Sequence, residues 1–241
     1  GPLHVGHGRG AAYGSALVNL LRTAGYNVQA EYYINDAGNQ MDNLAASVNA
    51  RYLMHFGVHA EIPENGYHGH DIIETAEAII AKDGDAYLKM PEEERLSYFK
   101  ERAYAEKLAA LRRDLAAFNV QYDNWFSERT LHPAAIEDVC ETLKQRGKAY
   151  EKEGALWLKS TEYGDDKDRV IIRDNGVPTY LAADIAYHKN KYERGFKRLI
   201  NIWGADHHGY VARVKASMTA LGYDADQLEV LLLQMVSLFR N

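Results

Sequence analysis

Helix-period and strand-period segments alternate at both ends of this chain, and the stretch between them breaks the alternation. No other feature constrains the fold as much. Near the start, Ala12, Tyr13, Ala16, Leu17, Leu20, Leu21 and Ala24 recur at three- and four-residue spacing, with Gly25 placed as a stop. In "NVQAEYYIND", Val28, Ala30, Tyr32 and Ile34 alternate with more polar neighbours, which predicts a strand. A second helix is expected through Met41, Leu44, Ala45, Val48 and Tyr52 to Gly57. The alternation resumes at Thr179, with a helix near residues 182–192 and a strand in "RLINIWGA". A helix from about His208 to Leu221 and a buried strand in "LEVLLLQMVSLF" complete it. Strands joined by helices predict an α/β protein with a doubly wound parallel sheet.

The middle of the chain has another character. "GVHAEIPENGYHGH" is rich in turn residues and leads into a charged, helical stretch. Pro91 opens its longest helix, with Leu96, Phe99, Leu108, Leu111, Leu115 and Phe118 expected on the buried side. "ALWLKS" and "RVIIRDNGVPTYL" follow as strands, the latter folded on itself at an Asn-Gly turn. The expected organisation is one fold split by an insertion. Residues 1–60 and 166–241 form its halves, and residues 61–165 are a mostly helical connective insertion.

The 241 residues can bury a sizeable core. A net charge of −6 excludes the bulk positive charge of a non-specific nucleic-acid binder, though not local basic patches. The lone Cys140 excludes an intramolecular disulfide and a cysteine-rich zinc site, as befits a reducing cytoplasm. No apolar run is long enough to span a bilayer and no leader-like segment is visible, so no membrane partner is expected.

The chemistry concentrates in "GPLHVGHGRG". Proline before a helix and glycines in its first turn let a ligand approach the backbone, where free N–H groups and the helix dipole favour anionic oxygens. His4 and His7 add donors that can follow charge developing on a phosphate, and Gly6 between them leaves room for a flat base or ribose. Two alternatives stand beside this. A His-x-x-His pair on one helix face can bind metal, but it has no clear third ligand nearby. The plainer alternative is a glycine-rich loop with two surface histidines.

"PLHVGH" resembles the His-Ile-Gly-His motif of class I aminoacyl-tRNA synthetases, a motif shared with related nucleotidyltransferases. With "EYYINDAGNQ", "VPTYLAADIAYH" and "WGADHHGYVARVKA", in that order and spacing, the chain resembles the arginyl-tRNA synthetases over nearly its whole length. The resemblance implies a Rossmann-like, HUP-type sheet with helices on both faces. It also implies an enzyme, an arginine–tRNA ligase: ATP and L-arginine form arginyl-adenylate, and the arginyl group passes to the 3′ end of tRNA(Arg). Mg2+ would accompany the ATP, and no dedicated protein cage for it is visible.

Carried onto this chain, His4 and His7 would be catalytic and contact the ATP phosphates, with Gly6 under the adenosine. A guanidinium calls for a forked carboxylate partner and an aromatic wall. The family's Tyr-x-x-x-Asp pair falls on Tyr180 and Asp184, four apart at a strand-to-helix transition, and Asp184 is assigned to the guanidinium. Asp36 and Gln40 of "INDAGNQ" are placed with the arginine, and Asp206, His207 and Gly209 with the ATP. Each of Asp36, Gln40 and Asp206 also suits a turn or cap.

"GYHGH" departs from the basic pattern of relatives, so His68 and His70 are expected to be solvated turn residues. The family's further parts, an amino-terminal domain and a lysine-bearing loop with an anticodon-binding domain, do not occur in these residues. A catalytic-core piece, feeble or inactive alone, is the expectation. The competing readings are another class I synthetase or nucleotidyltransferase, a non-catalytic binding module with the same fold, and a metal enzyme.

Overall fold

The computed structural model describes residues 1–239; Arg240 and Asn241, the end of the expected third segment, lie outside the described residues. Seven helices and seven strands are resolved among them, and the chain divides by packing into two compact units, residues 1–125 and 126–241. Each is described on its own.

The first unit begins with helix α1 (Val5–Thr23), strand β1 (Glu31–Ile34) and helix α2 (Asn39–His55). Two helices follow, α3 (His70–Asp83) and the long α4 (Glu92–Ala117). The core of this unit lies among α2, α3 and α4. Val48 and Tyr52 meet Ile72, Ala76 and Ile79 of α3 and Phe99 and Ala103 of α4, all at the inward positions of 3.6-residue periods. Burying such side chains stabilises by about 1.5–3 kcal/mol each.

Tyr52 and Arg95 carry polar groups into this core, and both find partners. The Tyr52 hydroxyl donates to the Gly84 carbonyl at 2.9 Å, and buried Arg95 donates to Asn49 Oδ1 at 2.7 Å and to the Met90 carbonyl at 3.0 Å. Glu92, Glu93 and Glu94 crowd the first turn of α4, where the helix dipole favours them. Phe118, expected on the buried side, lies at the cap of α4 and is 54% exposed, because the helix has ended before its face returns to the core.

Helix α1 forms where its periodicity predicts, but none of its residues is buried. Its carboxyl end is tied by ions instead. Asp123 accepts from Arg22 and from the Ala30 backbone N–H, both at 2.7 Å, which links α1 to the residue before β1. Strand β2 (Asn124–Ser127) pairs with β1 and leads out of the unit, and Trp125 stacks on Tyr32 at 4.6 Å.

The second unit opens with a 3-10 turn, Glu128–Leu131, and helix α5 (Ala134–Gln145), then strands β3 (Ala149–Lys152), β4 (Ala155–Leu158) and β5 (Arg169–Ile172) in an antiparallel sheet. The β3–β4 hairpin turns on Glu153 and Gly154, both at positive φ (53° and 76°), the two-residue turn whose twist matches the strands. After the expected Asn-Gly turn only one isolated bridge forms, Ile172 to Pro178, because the chain turns at once into α6 (Tyr180–Glu193).

Helix α6 buries Leu181, Ala182, Ala183, Ile185, Ala186 and Tyr187, an apolar surface wide enough for packing on several sides. Strand β6 (Leu199–Gly204), helix α7 (His208–Ala220) and strand β7 (Leu228–Leu233) make a β-α-β unit whose strands pair in parallel, Leu199 with Leu228 through Gly204 with Leu233. The expected strand to residue 239 stops at Leu233, where pairing with β6 runs out.

Candidate active site

At the start of α1 the two histidines cap the helix reciprocally. Gly6 N–H donates to His4 Nδ1 at 3.1 Å, and His4 N–H donates to His7 Nδ1 at 3.2 Å. The imidazoles stack with centroids 3.7 Å apart. Because each Nδ1 accepts, each neutral ring carries its proton on Nε2 and turns that N–H away from the helix. Two N–H donors thus stand beside the positive end of a 19-residue helix. Burial first, then the neighbouring His4 ring, hold the His7 pKa below its ordinary value, which preserves the accepting nitrogen. A Cβ added at Gly6 would meet His4 Cε1 at 2.9 Å, so it would fit only if that ring turned. Glycine at this position lets the His4 ring fold over the backbone.

Past β1, Asp36 is 1% exposed and accepts from the Tyr104 hydroxyl of α4 at 2.7 Å. Gln40, in the first turn of α2, donates its amide to the Ala37 carbonyl at 2.8 Å and the Asn35 carbonyl at 3.1 Å, and also touches Asn35 Oδ1. Gln40 therefore holds the Asn35–Ala37 loop. Gly38, between them, has φ +82°, a conformation that glycine adopts without strain.

In the second unit Asp184 lies on the first turns of α6, and its Oδ2 accepts from the Tyr210 hydroxyl of α7 at 2.6 Å. Burial first, then the negative charge of Glu128, raise its pKa to about 6, against the lowering effects of Tyr210, His207 and Lys191. This is a largely desolvated carboxyl poised near neutrality. Tyr180 stands at the amino end of α6 with 62% exposure; the tyrosine bonded to Asp184 is Tyr210.

One turn on, buried His188 donates Nδ1–H to the Asp184 carbonyl at 2.7 Å, and its Nε2 accepts from the Asn201 amide at 2.7 Å. Lys191 donates to Asn201 Oδ1 at 3.2 Å. Desolvation pushes His188 down to about 3, so it stays neutral and works as a strut.

The predicted nucleotide residues follow β6. Asp206 and His207 are exposed and 3.6 Å apart, and the open space over Gly209 leaves the backbone at the start of α7 approachable. A Cβ added at Gly204 would meet the exposed Asp206 carboxylate, whose flexible end can turn aside. His70, expected in a turn, opens α3 exposed and pairs with Glu74 at 3.1 Å.

A cavity of about 470 Å³ among α5, β4 and β5, floored by Ile136, Cys140 and Leu156, includes none of the predicted site residues. Among the described residues no three His, Cys, Asp or Glu side chains are grouped as a metal cage requires. The described residues thus offer no cage for a resident ion.

Sequence reasoning missed His188, Asn201, Tyr210 and Glu128. His188 carried a local signal, four residues after Asp184 on one helix face. Tyr210 and Glu128 carried none, being 26 and 56 residues away along the chain.

The parallel β6–β7 pair with its crossover helix is the β-α-β unit of an α/β protein of Rossmann-like type. Residues 1–237 match the family model of the class I (R) tRNA synthetases, catalytic domain, and the chain belongs to that family. Arginine–tRNA ligase 1 of Halalkalibacterium halodurans is 53% identical to it over the whole chain and 44% of the relative's length. The arginine–tRNA ligase of Carboxydothermus hydrogenoformans is 54% identical over the whole chain and 43% of its own. The chain thus spans less than half the length of these curated relatives. The crystal structure of a Campylobacter jejuni protein named as an arginyl-tRNA synthetase superposes with a TM-score of 0.90 at 43% identity, over 98% of this chain and 52% of that one.

Proposed function

We propose that this chain is the catalytic core of an arginine–tRNA ligase, which activates L-arginine with ATP and transfers it to the 3′ end of tRNA(Arg). In the first step a carboxylate oxygen of arginine attacks the α-phosphorus of ATP. The bond to the bridging oxygen breaks and pyrophosphate leaves; Mg2+ arriving with ATP would neutralise part of its charge. In the second, a ribose hydroxyl at the tRNA terminus attacks the arginyl carbonyl and releases AMP.

His4 and His7 offer Nε2–H donors to phosphate oxygens as charge grows in the transition state. Asp206, His207 and the open backbone at Gly209 serve the nucleotide. Asp184 takes the guanidinium of arginine, Tyr180 supplies the aromatic wall, and Asp36 contributes from the loop that Gln40 holds. Residues 1–60 and 166–241 act as the halves of the nucleotide-binding domain and residues 61–165 as the insertion. The working compartment is the cytoplasm, where its substrates meet; among the described residues no helix is long and apolar enough to cross a membrane.

The observation that carries this reading is Asp184, a desolvated carboxyl whose one oxygen is held by Tyr210. Such a group discriminates for a cation that can form a forked pair. Asp184→Asn should weaken arginine binding about 100-fold by isothermal titration while a non-hydrolysable ATP analogue binds as before. Arginine affinity that survives the change would remove the assignment.

A further inference from the structure

Near the end of β6 stands an aromatic residue that the proposed reaction leaves without work. The Trp203 ring centroid lies 5.9 Å from that of Tyr210, 6.3 Å from that of His207 and 6.3 Å from that of His188. The rings meet at 54°, 63° and 88°, within the tilted and edge-on arrangements that aromatic pairs prefer. The indole is half-buried.

Two of these contacts lead to one acid. Tyr210 donates its hydroxyl to Asp184 Oδ2 at 2.6 Å, and His188 donates Nδ1–H to the Asp184 carbonyl at 2.7 Å. The third leads the other way, to His207 on the 3-10 turn after β6, whose side chain is 58% exposed. One ring thus stands between both supports of Asp184 and the residue assigned to the nucleotide.

Packing alone would call for any apolar side chain at a strand end, and Leu232 fills the paired position of β7. An indole differs in being a single rigid plate turned by only two torsions, so fixing one edge fixes the rest. Resting on the assignment of Asp184 to arginine and His207 to ATP, we propose that Trp203 is a positioning residue that couples the two subsites. A nucleotide that orders the His207 ring also orders Trp203, and with it Tyr210 and the Asp184 carboxylate. Ordering shared in this way makes each ligand tighten the other, by the same factor in both directions. Trp203 acts through its neighbours and not on a reacting atom.

The test is isothermal titration of arginine with and without a saturating non-hydrolysable ATP analogue, and the reverse titration. The analogue should tighten arginine binding about fivefold in the unsubstituted protein, and arginine should do the same for the analogue. In Trp203→Leu that ratio should fall to about one, while Trp203→Phe, which keeps a ring at the junction, should retain a higher one. Tyr210→Phe leaves a ring against Trp203 and removes only the hydroxyl on Asp184, so it should lower the ratio too. A general packing defect would weaken each ligand alone and leave the ratio as it was. That result in Trp203→Leu, or no tightening in the unsubstituted protein, would overturn the proposal.

Should Trp203→Leu fail to fold, the indole N–H signal of Trp203 in nitrogen-15 NMR of the unsubstituted protein decides. It must shift when arginine or the analogue is added alone; a response to one of them, or to neither, defeats the idea. If Asp184→Asn leaves arginine binding intact, the underlying assignment falls. If it abolishes binding while Trp203→Leu keeps the full ratio, only the coupling does.

Discussion

The amino ends of α1 and α6 both place chemistry on the first turns of a helix, and they use histidine in opposite ways. His4 and His7 accept through Nδ1 from the backbone, so their exposed rings present Nε2–H outward. His188 donates through Nδ1 to the Asp184 carbonyl and accepts at Nε2 from Asn201, entirely indoors. The difference follows from the ligands proposed for each place. Phosphate oxygens carry enough charge to be held by donors and a helix dipole in contact with water. A guanidinium must be told apart from other cations, which takes a carboxylate stripped of water and held at a set angle. Solvation is therefore the variable that separates the two regions.

The strongest challenge to this contrast is removal of His188. His188→Ala leaves the Asn201 amide and the Asp184 carbonyl without their partner inside the protein, and should cost about 3 kcal/mol or more in urea unfolding. His4→Ala removes only an exposed cap, worth about 1 kcal/mol. Equal losses would break the distinction between strut and presenter.

Gly6→Ala sharpens the contrast from the other side. The new methyl would force the His4 ring off the backbone, and rings turn cheaply, while alanine favours helix by about 1 kcal/mol. Stability should hold or rise while affinity for an ATP analogue drops severalfold. Unchanged affinity would mean that the ring's placement is immaterial.

The smallest effect is a matter of protons. Nitrogen-15 NMR at neutral pH should show Nε2–H for His4 and His7 and Nδ1–H for His188. Because the folded chain keeps His7 below its ordinary pKa, the cap's contribution is present above pH 6.5. It is lost as pH falls from there through the folded value, when a proton at Nδ1 displaces the His4 N–H. His188, pushed to about 3, should keep one spectrum through that interval.

Much of the framework was legible along the chain. α2, α4, α6, β6 and α7 fall close to where apolar spacing and stop residues put them, because short-range periodicity is what those elements are made of. The α1 stripe predicted a helix, yet none of its residues is buried; periodicity reports which residues share a face, not what covers it. β7 ends with its partner strand, and a strand's length is set by what it pairs with. At the candidate site, Asp184 and the histidine pair stood out in short motifs, whereas the hydrogen-bond partner of Asp184, Tyr210, did not. Its hydroxyl comes from another helix.

By itself the sequence determined where helices start, where glycine lets the backbone bend or a ring lie across it, and which side chains could do phosphate and guanidinium chemistry. Only the tertiary structure decided that Asp184 is withdrawn from water, braced by Tyr210 and opposed by Glu128. Local spacing controls hydrogen bonds within a few residues, but desolvation and electric field at a point are sums over neighbours that the chain brings from far away.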